Sequence, residues 1–383
     1  MAKKRQTKLK EPKKNKNKKI LNKKRKKSEN QKIENKKIKI NEEKNTCETI
    51  DLKINMKLKK QNYIYVKTLI EGKMFCYISF KSLNDRIYII YKIYDNNIIY
   101  IYDFNNEQIS FTINEPNFCG LRHILDKKNK RDLIMTISKQ KIKIWNFNNM
   151  KCITEINKTY QICNISYLNN DEIYIIESTD ELPILVYNIE GKIIKKIKNS
   201  ETIYAMEAFY DINSAKSYII FNNVGYLKSY DFDNDKEYVY YFHDSYNDNF
   251  DLLINIKKDE TQLIGVGESY PIIIIWNFHS GDKLYDIFLK SCVRNINRIS
   301  DPFLWDEEHL CFGFREVIGK GICGAYSLKL LNLNNLIICD NLINYEIVLE
   351  NVQKIKHPIY GNCLITQLYD NIGLWKKKNN SKI

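Results

Sequence analysis

From Asn62 onward the chain alternates short runs of Ile, Val, Tyr and Phe with clusters of Asn, Asp and Gly. Short runs of β-branched and aromatic residues, punctuated by turn formers, predict many short strands joined by tight turns. Helical periodicity is sustained nowhere along the 383 residues. One pattern recurs: an alternating apolar strand, an aromatic, Asn or Asp, then an apolar residue. It reads IYIYDF (99–104), IKIWNF (142–147), ILVYNI (184–189), LKSYDF (227–232) and IIIWNF (273–278), with looser copies LKLLNL (328–333) and IGLWKK (372–377).

The marker positions are Tyr102, Trp145, Tyr187, Tyr230, Trp276, Leu331 and Trp375, spaced by 43, 42, 43, 46, 55 and 44 residues. Around each marker the pattern allows a strand before and, for most, a strand after. Four strands per repeat of about 43 residues, repeated seven times, is the strand count of a β-propeller. The third-strand endings Trp145-Asn146, Trp276-Asn277, Tyr102-Asp103 and Tyr230-Asp231 resemble the Trp-Asp signature of the WD-repeat family. The resemblance implies an all-β, seven-bladed propeller over residues 61–377. It departs from the family in lacking a clear Gly-His before each blade and in offering a turn Asp only at Asp95, Asp180 and Asp370. Much of the family's buried Asp–His–Ser–Trp hydrogen-bond chain is thus expected to be lost, leaving packing to hold the blades. After Trp375 no room remains for a fourth strand, whereas YIYVKTLI (63–70) has no partner of its own. The resemblance implies that this N-terminal strand completes the last blade, and closure removes exposed edges.

Charge is unevenly placed. The net charge of +15 arises from residues 1–60, which hold 24 Lys and Arg against 7 Asp and Glu, while the rest holds 37 against 39. The stretch 13–27 is two-thirds basic, with its densest run at Lys23, Lys24, Arg25, Lys26 and Lys27. Such a segment buries too little apolar area to offset the entropy of ordering it, so residues 1–60 are expected to be a disordered lysine-rich tail. Residues 378–383 form a second, short polar tail. The basic tail suits nuclear import or contact with RNA or acidic surfaces; the alternative is a solvated segment without a dedicated role.

The longest notable apolar run, Ile272 to Trp276, is far short of a membrane span. The basic start has no apolar stretch behind it to form a secretory signal. No Cys-x-x-Cys pair occurs among the ten cysteines, which disfavours zinc ribbons and fingers and thioredoxin-like sites and leaves the cysteines as small hydrophobes of a reducing compartment. The expectation is a soluble intracellular protein, nuclear or nucleolar rather than cytoplasmic.

Candidate chemistry is sparse. Gly313, Gly319, Lys320 and Gly321 do not have phosphate-loop spacing, and none of the five histidines sits in a nucleophile or metal motif. No catalytic residue, cofactor or metal is expected. The long interval before Leu331 marks an insertion of about a dozen residues within 300–327, read as a long loop. There Trp305, Phe312, Phe314 and Arg315 are residue types enriched at interface hot spots; the alternative is ordinary blade core. The resemblance implies a non-catalytic scaffold, monomeric within a complex of other proteins. The basic tail tilts that complex towards RNA processing. A cytoplasmic adaptor for a ubiquitin ligase or a trafficking coat is the rival reading.

Overall fold

A computed structural model describes residues 47–378 except 55–61, 95, 161–163, 170–171, 180, 200, 224–225, 243–249, 268–270, 292–295, 319–321, 346–349 and 369–370. Residues 1–46 separate as a unit of their own and lie outside the described residues, as do 379–383. The expected disorder of residues 1–46 and 55–60, the cluster Lys23 to Lys27, and Asp95, Asp180 and Asp370 therefore fall outside the description.

The described residues form strands only, in seven small sheets. Blades 1 to 6 span 74–114, 118–157, 164–197, 205–242, 250–291 and 296–345, each an antiparallel meander in chain order. Blade 7 takes Glu350–His357, Gly361–Leu368 and Asn371–Lys377 from the C-terminal side. Its fourth, outer strand is Tyr63–Glu71, antiparallel to Asn371–Lys377 with Tyr63 opposite Lys377 and Glu71 opposite Asn371. The first strand of every blade neighbours the first strand of the next, and that of blade 7 approaches that of blade 1, so the ring is shut.

Apolar residues on both faces of the blades explain why they stack. Seven buried clusters occupy the seven interfaces between neighbouring blades. Between blades 5 and 6, for example, Ile273 and Ile275 meet Phe312 and Leu331. At the closure, Ile70 of the added strand joins Ile365 and Leu374 of blade 7 against Ile87 and Ile89 of blade 1. Gly373 leaves room there: a Cβ would lie 2.8 Å from the exposed ring of Tyr65, which stands edge-on to Trp375, so a larger residue would push that ring aside.

The polar half of the repeat has an equally local cause. The Asn or Asp after each marker accepts hydrogen bonds from backbone N–H groups of the turn that follows. Asp231 takes those of Asp233 and Asn234, Asn277 those of His279 and Ser280, and Asn332 those of Asn334 and Asn335. Each of these turns in blades 1 to 6 ends on a positive-φ residue, namely Glu107, Met150, Gly191, Asp235, Gly281 and Leu336. A register shift beside the marker accompanies each, which is the geometry of a turn with an adjoining bulge. Blade 7 has Lys376 in the capping place. Its fourth strand arrives from the N-terminus, so there is no turn to cap.

One finding qualifies the sequence reading and two correct it. Hydrogen bonds of the markers survive in part: half-buried Trp145 and buried Trp375 donate from Nε1 to Thr136 and Thr366 at 3.0 and 2.8 Å. In blade 3 the Tyr187 hydroxyl donates to Glu177 at 2.6 Å, and Glu177 also accepts the N–H groups of Thr159 and Tyr160. Packing is therefore not alone in blades 2, 3 and 7. Second, Glu48–Ile54, placed in the tail by composition, pairs in parallel with Lys283–Ser291 as a fifth strand of blade 5. Third, the insertion is not a long loop. It lengthens the strands of blade 6 to Ile296–Asp306, His309–Ile318 and Ile322–Asn332, and the middle two continue past their neighbours as a hairpin pairing Ile318 with Ile322.

Candidate partner-binding mouth between blades 6, 7 and 1

The four interface candidates do not come together. Phe312 is fully buried between blades 5 and 6, where its ring is core. Phe314 and Arg315 lie towards the hairpin end of their strand by backbone pairing, and their side chains fall outside the described residues. Trp305 sits near the opposite end of the blade, next to the turn at 307–308, and is half-buried.

A cavity of about 770 Å³ opens beside it, lined by the innermost strands of three consecutive blades. Phe303 and Leu304 come from blade 6, Val352 to His357 from blade 7, and Ser79 to Lys81 from blade 1. Innermost strands border the central channel of a propeller. Lys81 and Asp85 flank the first turn of blade 1, and His357 and Pro358 begin the first turn of blade 7. The cavity therefore opens as a mouth between these blades on the face that carries their first and third turns.

Its walls are fixed. Gln353 accepts from both the backbone N–H and the hydroxyl of Ser79, tying blade 7 to blade 1. The Trp305 ring has Tyr63 edge-on at 6.3 Å, Phe303 tilted at 6.2 Å, and the Lys354 ammonium over its face at 4.4 Å. Tyr63 is the first residue of the closing strand and is 2 % exposed. Closing the ring and bracing Trp305 are thus one event. His357 accepts the N–H groups of Ile359 and Tyr360 at Nδ1, which holds the blade 7 turn; burial, with Lys67 nearby, keeps its pKa below the ordinary value.

The charge of the mouth is mainly basic. Lys81, Lys354 and Lys356 face one aspartate among the lining residues, Asp85, which Lys81 already engages at 2.6 Å. Outside the lining, Asp306 lies near enough to Lys354 to feel its charge. Burial would raise the Asp306 carboxyl, but hydrogen bonds from His309 and the Glu308 N–H, with Lys354 adding, hold it low. The exposed turns beside the mouth carry Leu83 and Ile359, the latter 79 % exposed. Floor residues Val352, Ile87 and Leu304 are apolar and mostly covered.

Sequence reasoning singled out Trp305 and the closing strand that Tyr63 begins, but not their meeting. Lys354, Gln353 and Ser79 belong to no motif, and the ring brings all of them to one place. Among the described residues no three His, Cys, Asp or Glu side chains come together to hold a metal. No helix among them is long and apolar enough to cross a membrane. Comparison with protein-family models and with curated proteins finds no match. The propeller architecture accordingly rests on the strand order and the repeat themselves.

Proposed function

We propose that this chain is a non-catalytic protein-interaction scaffold of a multi-subunit assembly, one that handles RNA in the nucleus. The propeller is a fold commonly used to hold protein partners, and function is carried by sites placed on it. The observation that carries the reading is the mouth at blades 6, 7 and 1: a cavity with an apolar floor, a basic rim and walls locked by ring closure. It offers recognition surface rather than reactive groups. The histidine of its described lining uses Nδ1 to hold its own turn, and Lys81 is already paired with Asp85. The WD-repeat resemblance agrees with this role, and the excess of 24 basic over 7 acidic residues in 1–60 supports an RNA or acidic partner.

Affinity purification of the full chain at moderate and high salt, with and without RNase, tests the reading. Recovery of a stable set of RNA-processing factors supports it. Ligase or coat subunits would place the chain in a cytoplasmic adaptor instead. Absence of any stable partner would defeat the scaffold reading altogether.

A further inference from the structure

We infer that the mouth between blades 6, 7 and 1 binds an acidic peptide segment carrying one aliphatic or aromatic anchor residue. The inference rests on the scaffold reading and names the chemistry of one partner. Charge selects the partner's sign. Lys354 and Lys356 alternate on the same side of the strand Glu350–His357 and are both exposed. Lys356 makes no ion pair among the described residues, and Lys354 is held over Trp305 rather than by a carboxylate contact. Lys81 adds a third cation that shares Asp85. A segment with two or three carboxylates answers this rim; a basic one is repelled.

Shape selects the anchor. Phe303, Leu304, Val352 and Ile355, each packed into the blade interfaces around the cavity, are among its apolar lining residues, and about 770 Å³ has room for one side chain. The exposed Leu83 and Ile359 extend apolar contact onto the surrounding turns. Single-stranded RNA fits less well. It uses open aromatic faces on which bases stack, together with a line of cations. Here the Trp305 face is occupied by Lys354, and the described lining holds three lysines rather than a long line of cations.

The test is selection from a random twelve-residue peptide library on the immobilised full chain. Three proteins run in parallel: the parent, the charge reversal Lys354→Glu with Lys356→Glu, and a tail variant with Lys23, Lys24, Arg25, Lys26 and Lys27 changed to Gln. The expected result is enrichment of sequences with Asp or Glu around one Leu, Ile or Phe. Their measured affinity should fall about tenfold or more in the reversal, as expected when two charge contacts become repulsions. The tail variant should bind them like the parent, and replacing the anchor by Gly should weaken them several-fold. Circular dichroism checks that the reversal stays folded, and Lys356→Gln alone, a surface change, should weaken binding by a smaller factor in the same direction. Enriched peptides without acidic residues overturn the inference. So do acidic peptides unaffected by the reversal, or acidic binding lost only in the tail variant. Competition by poly(U) that depends on Lys354 and Lys356 assigns the mouth to nucleic acid and also overturns it. In all of these the parent chain can still recover its assembly, so the docking inference fails separately from the scaffold reading.

Discussion

Replacing Thr366 by Val asks whether the surviving tryptophan hydrogen bonds carry stability or merely accompany packing. Thr366 is fully buried and Trp375 is 2 % exposed. The indole Nε1–H of Trp375 donates to the threonine hydroxyl at 2.8 Å. Valine keeps the shape and removes the acceptor, so a buried N–H loses its partner in a place water does not reach. Leaving such a donor unsatisfied costs about 1–3 kcal/mol. Changing Trp375→Phe in the same background removes the donor as well, so the polar penalty disappears and only the loss of indole volume remains. The double-mutant cycle should therefore return a coupling of about 1–2 kcal/mol. Blade 2 provides the internal comparison. Trp145 makes the same bond to Thr136, but its ring is only half-buried, so Thr136→Val should cost less than about 1 kcal/mol. Urea unfolding followed by far-UV circular dichroism reads all of these as shifts of the midpoint at unchanged slope. A Thr366→Val protein as stable as its parent, or additive single changes, would refute the reasoning and return the blades to packing alone.

Four further outcomes follow from the geometry. Asn332→Ala removes the acceptor for two turn N–H groups and should lower stability by about 1 kcal/mol. By contrast, Lys376→Asn restores the repeat's consensus where no turn exists and should change the urea midpoint by no more than a surface substitution, about 0.5 kcal/mol. Phe312→Ala empties a fully buried position and should cost about 3–5 kcal/mol in a thermal or urea melt, whereas Phe312→Leu should cost under about 1.5. Stability should also fall on mild acidification. Burial holds His123 and His357 below the ordinary 6.5, so the unfolded chain takes up these protons first. Their contribution is complete above that value and is lost as pH drops through the window beneath it. Urea midpoints that stay level from pH 7.5 down to 5, or rise, would contradict this.

Much of the architecture is readable along the chain because a propeller blade is a local object. Each hairpin writes its own aromatic, its own capping Asn or Asp and its own turn, so counting seven markers counts seven blades. Even the exception is informative: IGLWKK lacks the capping residue because its partner strand comes from residues 63–71. Non-local placements are less legible. Nothing in ETIDLKI marks it as a parallel edge strand of blade 5, since its alternation is masked by lysine-rich surroundings and its partner is more than 200 residues away. The extra length of blade 6 resembles a loop until the pairing of Ile318 with Ile322 shows it spent on strand. Trp305 stands out by residue type alone. Its role depends on Tyr63, Lys354 and Ser79, which no spacing rule connects and which only the closed ring assembles.

Ring closure by the N-terminal strand underlies both the fold and the mouth, and disulfide trapping measures it directly. Glu71 and Asn371 face each other across the closing pair, within the separation a disulfide spans. Full-length protein with Glu71→Cys and Asn371→Cys should form an intramolecular cross-link under mild oxidation and run as a monomer on non-reducing gels. A control with Glu71→Cys and Lys151→Cys, which places the second thiol on blade 2, should not. Failure of the first pair to cross-link, or cross-linking only between two molecules, would contradict the closed ring.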